Sequence, residues 1–222
     1  MQIVVSEDIR QRCPAFVGAA VFATVRNSES SPALWQEIDR FVARYRLCHT
    51  VDSIKQMPAI EATREAYRRC GKDPSRYRPS GEALVRRTLK GGDLYRVSTL
   101  VDLINLASIA YGYSIGGFDA DKIAGSRLTL GIGREGEPYE GIGRGPLNIG
   151  GLPVYRDGAG GIGTPTSDHE RTKLSLETTR LLAIVNGYDG NREQTQACAA
   201  FICELLRKHA GSEGDAVVQM FP

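Results

Sequence analysis

Twenty of the chain's 25 glycines lie at or after Gly112, and only five precede it. Glycine in a helix interior costs about 1 kcal/mol relative to alanine. The second half therefore cannot be mainly helical; short strands joined by tight turns are its natural form. "GAAVFATVRN", apolar and bounded by polar residues, predicts a strand, as does "QIVVSEDI". "SSPALWQEIDRFVARYRL" predicts a helix with a serine cap, Pro32 in its first turn and Leu34, Ile38, Phe41 and Tyr45 on one buried face. A second helix in "SIKQMPAIEATREAYRRCG" ends at Gly71, and "RYRPSGEALVRRTLKGG" contains a short third. "YRVSTLVDLINLASIAYG" is apolar nearly all round, which implies a buried helix. Asp102, Asn105 and Ser108 nevertheless form a polar stripe on it, either tying neighbouring loops or facing a pocket.

From Gly116 onward, strand-like segments alternate with glycine turns until a closing helix, "NREQTQACAAFICELLRKHA", buries Cys198, Phe201, Ile202 and Leu205. "DAVVQMF" returns as a last strand. Helices dominate the middle and strands the later part, so the expected class is α+β, with residues 1–222 as one domain. A hydrophobic content of 41% against 24% charged residues fits a folded chain. No apolar run reaches the ~20 residues of a membrane span, and "MQIVVSEDIRQRC" lacks the apolar core of a secretory signal; the expected location is cytoplasmic.

Several chemistries find no support. The five cysteines form no C-x-x-C pair and read as buried free thiols, and the three histidines show no H-x-x-x-H spacing. No metal or cofactor is expected. Two stretches match G-x-G-x-x-G, "GIGREG" and "GAGGIG". A dinucleotide fingerprint needs a strand before the glycines and a helix opening on them. "GIGREGEPYEGIG" reads instead as a hairpin, and Pro165 interrupts any helix start after the second match.

Charge is unevenly placed. Residues 64–96 hold ten Lys/Arg and four Asp/Glu, a net +6, which leaves −4 for the rest of a +2 chain. Such a block suits either a polyanion-facing surface or solvated helix faces. The densest run of polar side chains is "GTPTSDHERT", directly after "GLPVYRDGAGGI". Ser167 and Glu170 have capping-box spacing, while the preceding glycines let a backbone approach a ligand closely. Both readings, cap and ligand loop, stand at this point.

"YRVSTLVDLINLASIAYGYSIGGFDADKI" resembles the editing module of the phenylalanyl-tRNA synthetase beta subunit. Val101, Asp102 and Asn105 match its V-D-x-x-N helix; Gly112, Phe118, Asp119, Asp121, Lys122 and Ile123 match the x-F-D-x-D-[KR]-I segment that follows. "RPSGEALVRR", "GLPVYRDGAGGIGTPTSDHERT" and "TTRLLAIVNGY" look like freestanding relatives of that module, and the likeness is dense over residues 76–188. The resemblance implies a three-layer fold around an unusual β-sandwich, and hydrolysis of tyrosine wrongly attached to tRNA. It places a pocket at Asn105, Gly116, Gly117, Asp119, Gly161 and Gly163, with Thr164, Thr166, Ser167, Asp168 and Glu170 as the catalytic set. Arg76, Arg78, Arg86 and Arg87 would meet tRNA phosphates. The implied partners are tRNA and the amino acid it carries.

Two positions depart from the family. Many bacterial modules carry a histidine just before A-F-D, where this chain has Gly116, and Thr164 stands where the later loop carries a glutamate. Tyrosine specificity is therefore not carried over, and the chain has no room for a synthetase catalytic domain. The expected function is hydrolysis of an aminoacyl ester on mischarged tRNA in trans; the alternative is a non-catalytic module binding tRNA or an amino acid.

Overall fold

The computed structural model describes residues 1–212 and 214–222. It begins with β1 (Gln2–Val5), α1 (Glu7–Arg12) and β2 (Val17–Thr24). The expected strand over "QIVVSEDI" is thus half helix. The Ser6 hydroxyl accepts the Ile9 N–H at 3.4 Å, and Glu7 and Asp8 occupy the positive end of the short helix. Next come α2 (Pro32–Cys48), capped by Ser31, and α3 (Pro58–Cys70). The helix expected from Ser53 is split: residues Val51–Gln56 form a 3-10 turn, because Pro58 has no N–H with which to continue it. α4 (Ser80–Leu89) and α5 (Thr99–Tyr111) complete the helical half. Gly112 ends α5 at φ 75°, a left-handed turn that sends the chain straight into β3 (Ser114–Asp119).

The glycine-rich half supplies β4 (Arg127–Ile132), β5 (Glu140–Gly141), β6 (Gly145–Pro146), β7 (Pro153–Asp157), β8 (Gly160–Gly163) and β9 (Arg180–Gly187). α6 (Arg192–His209) and β10 (Val217–Phe221) follow. One sheet has the order β1-β4-β7-β8, a second β10-β2-β9-β3, and β5-β6 form a small ribbon. The hairpin expected in "GIGREGEPYEGIG" does not form: β4 pairs with β7, and residues 133–152 leave the sheet as an excursion carrying the ribbon. "GAGGIG" belongs to the β7–β8 hairpin, whose turn is held by Asp157 accepting from the Ala159 and Gly160 N–H groups. Neither glycine motif opens a helix.

Three layers result. The β2–β9 sheet turns Ala19, Val21, Ala183 and Val185 towards Leu103, Leu106, Cys198 and Ile202 of α5 and α6. Its opposite face sets Ala20, Phe118, Leu182 and Ile184 against Leu128, Leu130, Tyr155 and Ile162 of the other sheet. The middle sheet is therefore apolar on both faces, and the inner interface is the β-sandwich. One polar pin crosses it: Tyr155 donates to Asn186 Oδ1 at 2.9 Å, and Asn186 Nδ2 donates to the Ser114 carbonyl.

The polar stripe on α5 divides. Asp102, 2% exposed, accepts from Trp35 Nε1 at 3.0 Å, from the Val97 N–H at 3.1 Å and from the Ser30 hydroxyl. Ser108 donates to the Tyr113 carbonyl. The Asn105 side chain has no hydrogen-bond partner among the described residues and stands on the wall of a cavity.

Candidate active site

That cavity, about 260 Å³, lies between α5, β3 and the loop after β8. Val101, Ile104 and Asn105 come from one face of α5, and Ile115 and Gly117 from the outward face of β3. Val97, Ile142 and Leu174 close the sides, and Asp168 enters from the "GTPTSDHERT" loop. The walls are aliphatic except for one carboxyl and one amide. β3 is an edge strand, so its outward N–H groups need partners from outside the sheet. Asp168 is one of them, accepting the Gly117 N–H at 3.0 Å through Oδ2. Burial pushes the Asp168 carboxyl up to about 7, and the single Gly117 bond offsets only part of that. A carboxyl that changes state near neutral pH in an apolar cavity suits proton transfer.

Two glycines make room for it. A Cβ at Gly116 would sit 2.7 Å from the Phe118 ring and 3.3 Å from Asp168 Oδ1; one at Gly163 would sit 2.5 Å from that ring and 3.0 Å from the same oxygen. Phe118 is fully buried in the sandwich, so neither contact relaxes easily. Placing a histidine at position 116 is therefore expected to destabilise the fold by about 1–3 kcal/mol through overpacking. Urea denaturation of Gly116→His checks this, and an unchanged midpoint would contradict it.

Of the five loop residues singled out above, Asp168 alone lines the cavity. Thr164 closes its own loop, its hydroxyl accepting the Thr166 and Ser167 N–H groups and donating to the Ser167 carbonyl. Thr166 is buried: it donates to the Tyr77 carbonyl at 3.2 Å and accepts from the Tyr67 hydroxyl at 2.8 Å. Ser167 donates to the Asp168 carbonyl. Glu170 lies at the surface, pairing with Lys173 and accepting the Gly143 N–H. The Ser167–Glu170 capping box is absent; His169 caps the 3-10 turn Glu170–Thr172, its Nδ1 accepting the Arg171 N–H at 3.0 Å.

Asp119 is also turned away from the cavity, accepting from the Thr178 hydroxyl, Lys122 and the Asp121 N–H. Gly161 packs under Tyr139 in β8. Sequence reasoning missed the aliphatic wall, although Val101 and Asn105 are one helical turn apart and Ile115 and Gly117 alternate along β3.

The basic block is partly neutralised from within. Glu82, 3% exposed, takes Arg64 at 2.8 Å, Arg86 at 3.1 Å and Arg78 at 3.7 Å. Arg87 lies over the Tyr95 ring at 4.1 Å, and Arg76 is exposed near Tyr77. Three guanidinium groups around one carboxylate leave two positive charges in surplus. Their segment is fastened to the site loop: the Ser80 N–H donates to the Pro165 carbonyl, and Thr166 to Tyr77. No group of His, Cys, Asp and Glu among the described residues is arranged to hold a metal. No helix among them is long and apolar enough to cross a membrane.

The family model described as "B3/4 domain" matches residues 62–211, which run from within α3 past the end of α6 and so contain every wall of the cavity. The chain belongs to the B3/4 domain family. Its fold is similar to that of an N-terminal fragment of the phenylalanyl-tRNA synthetase beta subunit from Pyrococcus horikoshii, at 13% identity and a TM-score of 0.50. The likeness covers 98% of this chain and 50% of that one, so the B3/4 protein spans about half the fragment's length. No curated protein matches it. The resemblance carried by the V-D-x-x-N and x-F-D-x-D-K-I residues holds in family and in fold. A larger groove of about 590 Å³ between α2 and residues 92–96 contains none of the pocket or loop residues singled out from the sequence.

Proposed function

We propose that this B3/4 protein hydrolyses the ester of an aminoacyl-tRNA in trans, with Asp168 as general base. The observation that carries the reading is a carboxyl poised near neutrality in an aliphatic cavity of about 260 Å³, a size suited to an amino acid rather than a dinucleotide. In this reading the Asp168 carboxylate takes a proton from water as its oxygen attacks the ester carbonyl carbon. The carbonyl becomes an oxyanion facing the Asn105 amide, whose donors are uncommitted. Collapse expels the ribose oxygen, which recovers the proton from Asp168 and leaves free amino acid and tRNA. The aliphatic wall selects an apolar side chain, and the basic segment bonded to the site loop holds the phosphates of the acceptor end.

Release of amino acid from a panel of mischarged tRNAs tests the reaction. Tight tRNA binding with no release would favour the non-catalytic module instead. Phosphate contact makes a separate prediction. The Arg76→Ala, Arg87→Ala double variant, which leaves the Glu82 cluster intact, should weaken tRNA binding and lower its log–log salt slope by about one per arginine. An unchanged slope in the folded variant would remove this surface from the reading.

A further inference from the structure

The sequence scatters its cysteines, but the fold brings two of them together. Cys13 caps α1 and Cys70 is the last residue of α3. The residues just before them are fastened to each other, Arg12 donating to the Arg69 carbonyl at 2.8 Å. Both thiols belong to one apolar cluster and are 6% and 5% exposed, where the C-terminal ends of α1 and α3 meet. We propose that Cys13 and Cys70 form a reactive dithiol that a peroxide oxidises to an intramolecular disulfide, Cys13 attacking and Cys70 resolving.

The surroundings assign the two roles. Cys13 lines a cavity of about 260 Å³ beside Ala62, Ala66, Arg69 and Tyr188, so a small oxidant reaches it first; Cys70 is not on that wall. The neighbouring Cys70 thiol, then the charges of Arg69 and Arg12, hold the Cys13 thiol below its usual value against the opposing effect of burial. The same pairing and burial push Cys70 up, keeping it a thiol until a partner sulfur is activated. Cys198 has burial alone acting on it, which raises it. The Tyr188 hydroxyl, on the same cavity wall, has no partner among the described residues and is available to bond an oxidised sulfur.

The chemistry balances in two steps. The Cys13 thiolate attacks one peroxide oxygen, the O–O bond breaks, and with one proton taken up the products are Cys13 sulfenic acid and an alcohol or water. The Cys70 sulfur then attacks Cys13, expelling the sulfenic oxygen as water and closing the disulfide. Two electrons leave the thiols and reduce one peroxide. The bond would join α1 to the last turn of α3, the helix whose Tyr67 holds Thr166 in the site loop.

The test treats the full, folded chain with hydrogen peroxide near neutral pH, blocks remaining thiols with N-ethylmaleimide and maps the peptides. The expected result is an intact mass lower by two hydrogens before alkylation, a linked Cys13–Cys70 peptide pair after it, and reversal by dithiothreitol. In Cys70→Ser, dimedone should trap a sulfenic acid on Cys13. Oxidation confined to the exposed Cys48, or oxidation of Cys13 in the wild type without pairing to Cys70, would overturn the proposal.

Discussion

Asp168→Asn is expected to lose ester hydrolysis by a factor of about 100 or more while melting at a higher temperature than the wild type. The loss follows from removing the only group on the cavity wall that can accept a proton. The gain follows from linkage. In the unfolded chain this carboxyl ionises near its ordinary value of 3.8, but in the fold burial raises it to about 7. Between those values the unfolded state ionises while the folded state stays protonated, so stability falls as pH rises and the full cost is present above about pH 7. Asparagine keeps an oxygen for the Gly117 N–H and carries no charge. Its advantage should therefore be near zero below about pH 4 and largest near pH 8. Calorimetry at the two extremes reads it directly. A variant less stable than the wild type at high pH would show that Asp168 is a structural carboxylate.

The polar stripe on α5 yields the second large effect. Asp102→Ala would leave the Trp35 indole N–H, the Val97 N–H and the Ser30 hydroxyl without their acceptor in a buried site. At about 1–3 kcal/mol for each unsatisfied group, partly recovered by relaxation, the expected loss is on the order of 3 kcal/mol. Asn105→Leu, one turn along the same helix, breaks no bond within the protein. It should leave the urea midpoint within the range of a surface change while reducing hydrolysis at least tenfold, the amide being the proposed oxyanion donor. Equal destabilisation by the two substitutions would mean that the stripe is a single structural tie.

What the sequence made legible was local. Ser31 and Pro32 announce α2 because cap and first turn lie in adjacent residues. Gly112 announces the end of α5 because its backbone angle excludes most other residues. α1 escaped notice because it is six residues long with one buried side chain, Ile9, and so has no periodicity to read. The β4–β7 pairing escaped because its partners are separated by the excursion at 133–152, beyond the reach of any turn signal. The "GTPTSDHERT" stretch was readable as polar and glycine-supported, yet which of its side chains faces the cavity depends on distant residues. Tyr67 and Tyr77 draw Thr166 into the interior, and the unpaired edge of β3 draws Asp168 to Gly117. Contacts of that range have no trace in the spacing of neighbouring residues. The Cys13–Cys70 contact, which joins the ends of two helices, was invisible for the same reason.

The most direct test of the account is single-turnover deacylation of tRNAs mischarged with several apolar and aromatic amino acids, followed across pH. The wild-type protein should exceed the uncatalysed rate on at least one of them, with a rate that rises through an apparent pKa of about 7 and levels above it, after correction for base-catalysed hydrolysis. Asp168→Asn should abolish both the acceleration and the inflection. Wild-type rates equal to the uncatalysed rate on every substrate, at every pH, would contradict it.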